Sequence, residues 1–345
     1  MSAGIIMRQR RKRRRKERVW LPALYLAPTL LLLWAFDIYP IFLSAWMSLW
    51  RWGIKAEEFI GFDNYKRVFE EIGSGPSGGP GEVGNSLLVT AFYVIGTVPV
   101  TIVIAFVIAN MLNSRIRFLA VLRTAYFVPY ITSTVAAGLA FVWLLNPQIG
   151  VLNSALESVG LPAQQWLLDP EPVVPKVLAV FGIGWSEDIP EFLEGPSVAL
   201  VCVIIFSVWN SLGFAVVIIL AGLVTIDPQV KEAARMDGVN SWQMATRITM
   251  PLVSPTLFLL LIVSTISSFQ SFNEVYVLTS GGGYGAGAGS PLDSTLTLPV
   301  LIFRHLYERP SSVGFAAALS MLLFAVVLGV VLLQFRLAER RVHYE

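Results

Sequence analysis

The chain has 345 residues, of which 55% are hydrophobic and only 14% charged, with a formal net charge of +2 and a mean hydropathy of +0.67. That balance excludes two ordinary soluble domains and selects the membrane class. A single cysteine, Cys202, excludes an internal disulfide and reads as a small apolar packing group.

The N-terminal stretch MRQRRKRRRKERVW holds nine Lys or Arg between Arg8 and Arg18 against one acid, Glu17. The same composition serves nucleic-acid patches. Here it abuts an apolar segment, and positive charge beside a span holds that end in the cytoplasm. Residues 1–18 are therefore expected to be a basic cytoplasmic tail, with no nucleic-acid partner. The apolar part is too long for a signal-peptide core.

Crossing a hydrocarbon core of roughly 30 Å takes about 20 helical residues. Six segments qualify, near 21–45, 87–112, 122–145, 198–223, 255–278 and 313–335. They are continuous apolar runs rather than alternating ones, which argues for helices and against a β-barrel. Each must close its own backbone hydrogen bonds, so Pro99 and Pro129 predict kinks.

Six crossings from a cytoplasmic start return the C-terminus to the cytoplasm. Arg336, Arg340 and Arg341, with Glu339 among them, follow the last span, and Arg115 and Arg117 fall in an inside loop. The long segment 146–197 falls outside and carries Glu157, Asp169, Glu171, Glu187, Asp188, Glu191 and Glu194 against Lys176 alone. Basic short inner loops and an acidic outer one agree with one orientation. The apolar run VVPKVLAVFGIGW within 146–197 is too short for another span; an interfacial hairpin or a protein contact is expected there.

The same orientation places 227–251 inside. Asp227 reads as a helix cap followed by Pro228 at the first helical position. A short helix through Met236 is expected, then a turn at Asp237-Gly238, where glycine accepts the left-handed conformation. Ser241 reads as the cap of a second helix carrying Trp242, Ala245 and Ile248. The signals fit an amphipathic loop on the lipid surface as well as a rigid helix-turn-helix knob.

This stretch, KEAARMDGVNSWQMATRITMP, resembles the EAA loop of ABC importer permeases: Glu232-Ala233-Ala234, then Gly238, Ile248 and Met250-Pro251, with Met250 standing where that family has leucine. The segments GFDNYKRVFEE, NSLLVTAFY, WNSLGFAVVIILAGLVTIDPQVKEAARMDGV and SFNEVYVLTSGGG are similar to the carbohydrate-uptake branch, the maltose and glycerol-phosphate type permeases. The resemblance spans roughly 21–335. It implies an all-α membrane protein with six transmembrane helices, the type I ABC importer permease fold with a cytoplasmic coupling helix. It also implies a bacterial or archaeal inner-membrane location, a second permease subunit, two ATPase subunits and an extracytoplasmic solute-binding protein. By the same resemblance Glu232, Ala233, Ala234, Asp237, Gly238, Ile248 and Pro251 couple to the ATPase, with Glu232 meeting a basic group, the alanines permitting close approach and Gly238 forming the bend.

No cofactor is expected on this chain, and ATP and Mg belong to the partner subunits. There is no Gly-Lys pair for a phosphate-cradling loop, and the glycine-rich run 281–290 matches neither nucleotide pattern. With two histidines, His305 and His343, and one cysteine, no metal-ligand or nucleophile constellation appears, so no catalytic or metal residue is expected. A carbohydrate path is read from polar and aromatic residues inside the spans: Trp209, Asn210, Ser211 and Phe214, then Ser268, Gln270, Asn273, Glu274 and Tyr276. Polar side chains in a bundle mark a pathway or serve as interhelical hydrogen bonds. An ion-coupled transporter would show charges at mid-membrane and repeated halves, and a scaffold would leave the knob unexplained.

Overall fold

The computed structural model describes residues 22, 24–53, 55–73, 80–113, 119–182, 184, 191–280 and 287–338. The basic run 8–18, Arg115, Arg117, Glu187, Asp188, positions 281–286 of the glycine-rich run, Glu339, Arg340, Arg341 and His343 lie outside the described residues. In chain order the elements are α1 (Leu24–Met47), a hairpin of β1 (Trp50–Trp52) and β2 (Ala56–Phe59), α2 (Asp63–Gly73), α3 (Glu82–Leu112), α4 (Leu119–Ile131) and α5 (Thr134–Leu144). After them come α6 (Val151–Ser158), α7 (Val173–Val180), α8 (Val198–Val224) and α9 (Pro228–Met236). The remainder is α10 (Ser241–Leu252), α11 (Ser254–Phe269), α12 (Asn273–Ser280), α13 (Leu298–Phe303) and α14 (Val313–Ala338). Four helices, α1, α3, α8 and α14, are long and apolar enough to cross a membrane, or up to six spans form if each bent pair counts as one.

The core is the seam between α3 and α8. Tyr93 meets Ser207 at 2.9 Å and Thr101 meets Ser211 at 3.4 Å, so the two helices run in the same direction. Further along, Ala105, Ala109 and Leu112 pack with Ala215, Ile219 and Leu223. Small residues let the backbones approach, which suits packing where lipid removes the hydrophobic drive between helices. Helix α11 runs the opposite way: Ser271, just past its end, bonds Tyr93 at 2.8 Å, while Leu260 packs in the cluster of Ala105 and Ile219.

Helix α4 is also antiparallel to α8. Asn210 Nδ2 donates to Pro129 O at 3.1 Å, and a Cβ placed on Gly213 would lie 2.6 Å from Tyr126 O. Because α3 and α8 are parallel neighbours, the chain between them makes one net traverse. The segment 146–197 therefore adds no net crossing.

Two spans are broken where the sequence reads as continuous. The segment 122–145 is α4 and α5, bent by 101°. Pro129 cannot donate to the helical ladder, Thr132 Oγ1 turns back to Val128 O at 2.8 Å, and Ser133 takes ψ of 121°. The segment 255–278 stops at Phe269, where Gln270 closes the last turn, and resumes as α12. At its start, α10 meets α11 with a 74° bend at Val253, just before Pro255. Pro255 has no N–H to give the carbonyl of Pro251 four residues earlier, and its ring crowds that carbonyl, so the helix cannot run straight through Val253.

The starts of α3, α8 and α14, the end of α1, and 287–312 gather at one end of the bundle, the rim. Glu82 Oε1 accepts from Arg304 at 2.8 Å and Glu82 Oε2 from Arg309 at 2.9 Å, while Arg304 also pairs with Asp293 at 2.7 Å. Asn85 Nδ2 donates to Asp293 O and Ser197 Oγ to Ser294 O, and the backbone N–H of Leu298 donates to Thr90 Oγ1. The segment 146–197 returns to this rim through a bridge between Pro172 and Ser197. Its first half is organised by buried Asn153, which donates to Pro147 O and Gln164 O and accepts from Trp166 Nε1 at 2.7 Å. The ends of α3 and α8, with α9, α10 and the start of α11, form the opposite end.

Two substitutions test this architecture. Glu82→Gln leaves Arg304 and Arg309 facing a neutral group in a half-buried site, and should cost about 1–3 kcal/mol of stability. Gly213→Leu forces α4 from α8 and should cost at least about 1–3 kcal/mol by overpacking. Thermal unfolding of the purified chain in detergent should show both midpoints lowered, and an unchanged midpoint for Gly213→Leu would remove the close contact from the account.

Candidate solute cavity and coupling helices

Three helices present polar stripes at helical spacing, and the fold turns them toward one another. On α3 the stripe is Ser86, Thr90, Tyr93, Thr97 and Thr101, all buried. On α8 it is Ser207, Asn210 and Ser211 with Phe214, and on α11 it is Ser264, Ser267 and Ser268, continued by Ser271. Between the stripes lies a cavity of about 250 Å³, also lined by Val98, Tyr130, Val263 and Glu274. A chain of contacts crosses its wall: Ser207 to Tyr93, Tyr93 to Ser271, and Ser271 Oγ donating to Glu274 Oε2 at 2.5 Å. Many of the hydroxyls are also held by their own helix. Ser207 donates to Val203 O and Ser211 to Ser207 O, which stabilises them in an apolar bundle and leaves lone pairs free.

Aromatic faces flank the polar groups. Tyr130 and Phe214 stack at 5.2 Å with 25° between their planes. Hydroxyls that donate and accept, beside flat apolar faces, suit a solute whose hydroxyls alternate with CH surface.

Of the residues read as a path from the sequence, Asn210, Ser211, Phe214, Ser268 and Glu274 line this cavity. Trp209 does not: its ring packs against Phe141 and Phe206 on another side of α8. Tyr276 stacks on Phe272 at 5.0 Å and meets Phe303 at 5.3 Å. Gln270 and Asn273 are exposed beside the break between α11 and α12, because that break turns their positions away from the α11 stripe. Sequence reading missed Tyr93, Thr97 and Thr101 altogether. The signal was available as a polar residue at every third or fourth position from Ser86 to Thr101, with Ser264, Ser267, Ser268 and Ser271 repeating the pattern on α11.

The opposite end carries the helix pair α9–α10. Asp227 Oδ1 accepts from Gln229 N at 2.9 Å with Pro228 at the first turn. At the other end of α9, Gly238 N–H bonds Arg235 O and Val239 N–H bonds Ala234 O, the paired bonds of a Schellman stop, with Gly238 at φ +76°. Helix α10 is capped by Asn240 rather than Ser241. Asn240 Oδ1 accepts from Gln243 N at 2.8 Å and Gln243 Oε1 accepts from Asn240 N at 3.1 Å, a reciprocal capping box. Ser241 is thereby the first helical residue, because the amide side chain one position earlier already satisfies the N-terminal donors. A wider, π-type turn over Met244–Thr249 follows.

On this pair Glu232, Ala233, Asp237, Gly238 and Pro251 are exposed, Ile248 is half-buried, and Ala234 is buried against the chain itself. Ala234 thus serves the internal packing of α9, while Ala233 faces outward. Met236 is 88% exposed and Trp242 73% exposed, an unpartnered apolar surface on an otherwise capped and rigid element. Large exposed apolar groups rimmed by polar ones mark protein contacts.

The sequence family described as binding-protein-dependent transport system inner membrane component matches residues 77–343. The lactose transport system permease protein LacF of Rhizobium radiobacter is 30% identical over 319 residues, covering 92% of this chain and 94% of LacF. The sn-glycerol-3-phosphate transport system permease protein UgpA of Rhizobium meliloti is 27% identical, covering 94% and 96% of the two chains. Among solved structures, a bacterial alginate ABC transporter in complex with alginate pentasaccharide-bound periplasmic protein superposes with a TM-score of 0.71 at 22% identity, over 94% of this chain and 96% of that one. With its multiple apolar helices, parallel α3–α8 seam and capped α9–α10 pair, this chain belongs to the binding-protein-dependent transport system inner membrane component family and carries the type I ABC importer permease fold.

Proposed function

We propose that this permease subunit moves a sugar or related solute, delivered by an extracytoplasmic binding protein, into the cytoplasm by alternating access driven by ATP on partner subunits. The observation that carries this reading is the cavity between α3, α8 and α11, where hydroxyls and an amide alternate with the faces of Tyr93, Tyr130 and Phe214. The relatives named for lactose and for sn-glycerol-3-phosphate support a polyhydroxylated cargo. The subunit works beside a second permease, two ATPase subunits that hold ATP and Mg, and the binding protein; the alginate transporter's periplasmic protein supports the last of these. Both termini and the α9–α10 pair face the cytoplasm, and the rim with 146–197 faces outward, in keeping with the charge distribution of the loops.

In this reading α9–α10 docks on an ATPase subunit through Glu232, Ala233, Met236, Asp237 and Trp242. Closure of the ATPase dimer must reach the cavity as rigid motion. The stop at Gly238 and the two caps make the pair stiff, and α10 joins α11, whose serines line the cavity, through the bend at Val253. Ile248 and Pro251 sit on that joint, where they transmit displacement rather than touch solute. ATP binding shifts the population toward the outward-facing form by the difference in docking free energy between the two states.

Two substitutions test the halves of the proposal separately. Ser264→Leu with Ser268→Leu fills the polar cavity with apolar volume; uptake should fall at least roughly tenfold, while copurification of the ATPase stays unchanged. Undiminished uptake would remove the cavity from the path. Gly238→Val places a β-branched residue at positive φ, a strain of about 1–3 kcal/mol. Solute-stimulated ATP hydrolysis by the purified assembly should drop with the cavity intact. Normal stimulation and normal uptake together would sink the coupling role of this turn.

A further inference from the structure

Helix α9 has two faces with different partners. Glu232 and Met236, four residues apart, lie on one side and are exposed together with Ala233. Lys231 and Arg235, also four apart, share a different side, and both line a separate cavity of about 680 Å³ between α9–α10 and the end of α3. The cavity is walled by hydrogen-bonding groups from Asn110, Asn113, Ser241 and Thr249, and by apolar surface from Ile226, Val239 and Met244. Among the described residues neither Lys231 nor Arg235 forms an ion pair with a carboxylate; Lys55, Arg247 and Arg336 form none either, but only Lys231 and Arg235 share a cavity. Burial of Lys231 and the neighbouring charge of Arg235 both pull its ammonium pKa below the ordinary lysine value. Lys231 is half-buried and Arg235, though exposed, lines the same cavity; two neighbouring cations facing one cavity without a carboxylate partner offer a place for an anion.

The position says which anion. The cavity opens where α3 and α8 end, at the boundary of the apolar bundle, and it combines cationic and amide donors with an apolar wall. A protein carboxylate would match the cations but has no use for the apolar wall. We propose that Lys231, Arg235, Asn110 and Asn113 form a binding site for a phosphate group, supplied by an anionic phospholipid headgroup whose acyl chain follows Ile226 and Met244 or by free phosphate. The site lies behind the exposed face of α9 and is separate from it. An occupant there would brace α9 against α3 and set the tilt of the whole pair, which gives membrane composition a hold on the element proposed to receive ATPase motion.

The test is native mass spectrometry of the purified full-length chain, and of its assembled importer, with added phosphatidylglycerol, phosphatidylcholine or inorganic phosphate. Phosphatidylglycerol should be retained at least tenfold better than phosphatidylcholine. Lys231→Gln with Arg235→Gln should erase that preference, and Lys231→Arg should keep it. Displacement of the lipid by millimolar phosphate would identify free phosphate as an equivalent ligand, and its persistence would identify the headgroup. Equal retention of both lipids by the unsubstituted chain would overturn the proposal. So would loss of the bound anion on assembly, accompanied by cross-linking of Arg235→Cys to the ATPase subunit, because an acidic partner side chain would then be the occupant. The size-exclusion profile of each variant distinguishes loss of the site from loss of the fold.

Discussion

Everything in this permease hangs on α8, which holds α3, α4 and α11 at once in surroundings where polar groups find no water. Within lipid, close packing and hydrogen bonds must do the work that the hydrophobic effect does in soluble cores. Helix α8 meets this with a closely packed apolar surface and a polar one. Val203, Ala215 and Ile219 are buried in clusters shared with α3, and Gly213 lets the backbone of α4 come within contact distance. Ser207, Asn210 and Ser211 donate inside the bundle, to Val203 O, Pro129 O and Ser207 O. The polar lining is thus stable without a solute and still has acceptors for one.

The two ends of the bundle are built from different forces. The rim is clasped by charge: Glu82, Asp293, Arg304 and Arg309 tie the start of α3 to 287–312. Such a network is costly to break once half-buried, since any one partner removed strands another. The opposite end is built from local backbone chemistry, with Asp227, Asn240 and Gly238 fixing α9 and α10 through caps and a stop. A clasped rim and a stiff capped pair leave the breaks at Ser133, Val253 and Gln270 as the places where the helices can tilt against one another. All three adjoin helices that line the cavity.

Among the described residues Glu274 is the one carboxyl group in the cavity lining, and it is hydrogen-bonded to Ser271, which in turn contacts Tyr93. Its carboxyl lies beside the join between α11 and α12, on the solute path proposed above. On that proposed path a hydroxylated solute would meet a hydrogen-bonding partner there.

The apolar runs, the Asp227 cap, the Gly238 stop and the EAA spacing were legible in the sequence because each depends on neighbours within a few positions, whereas the cap of α10 was read one residue late, at Ser241 instead of Asn240. Periodicity alone reports helices, Asp227-Pro228 reports a helix start, and Asp237-Gly238 reports a stop. The polar stripes of α3 and α11 were legible in the same way, although Asn210, Phe214 and Glu274 drew attention first as bulkier or charged groups. What the tertiary structure decided was which stripes face each other. Trp209 sits beside Asn210 in the chain but one hundred degrees round the helix, so packing sends it to Phe141 while Asn210 turns inward. Likewise Pro129 announces a kink, but the close contact of α5 with α12 beyond the breaks, through Gly138 and Val277, has no local signal. Composition and spacing fix membrane helices and a capped pair; only the parallel alignment of α3 with α8 turns three separate polar stripes into one cavity, because alignment is a property of the pair and is written in neither helix alone.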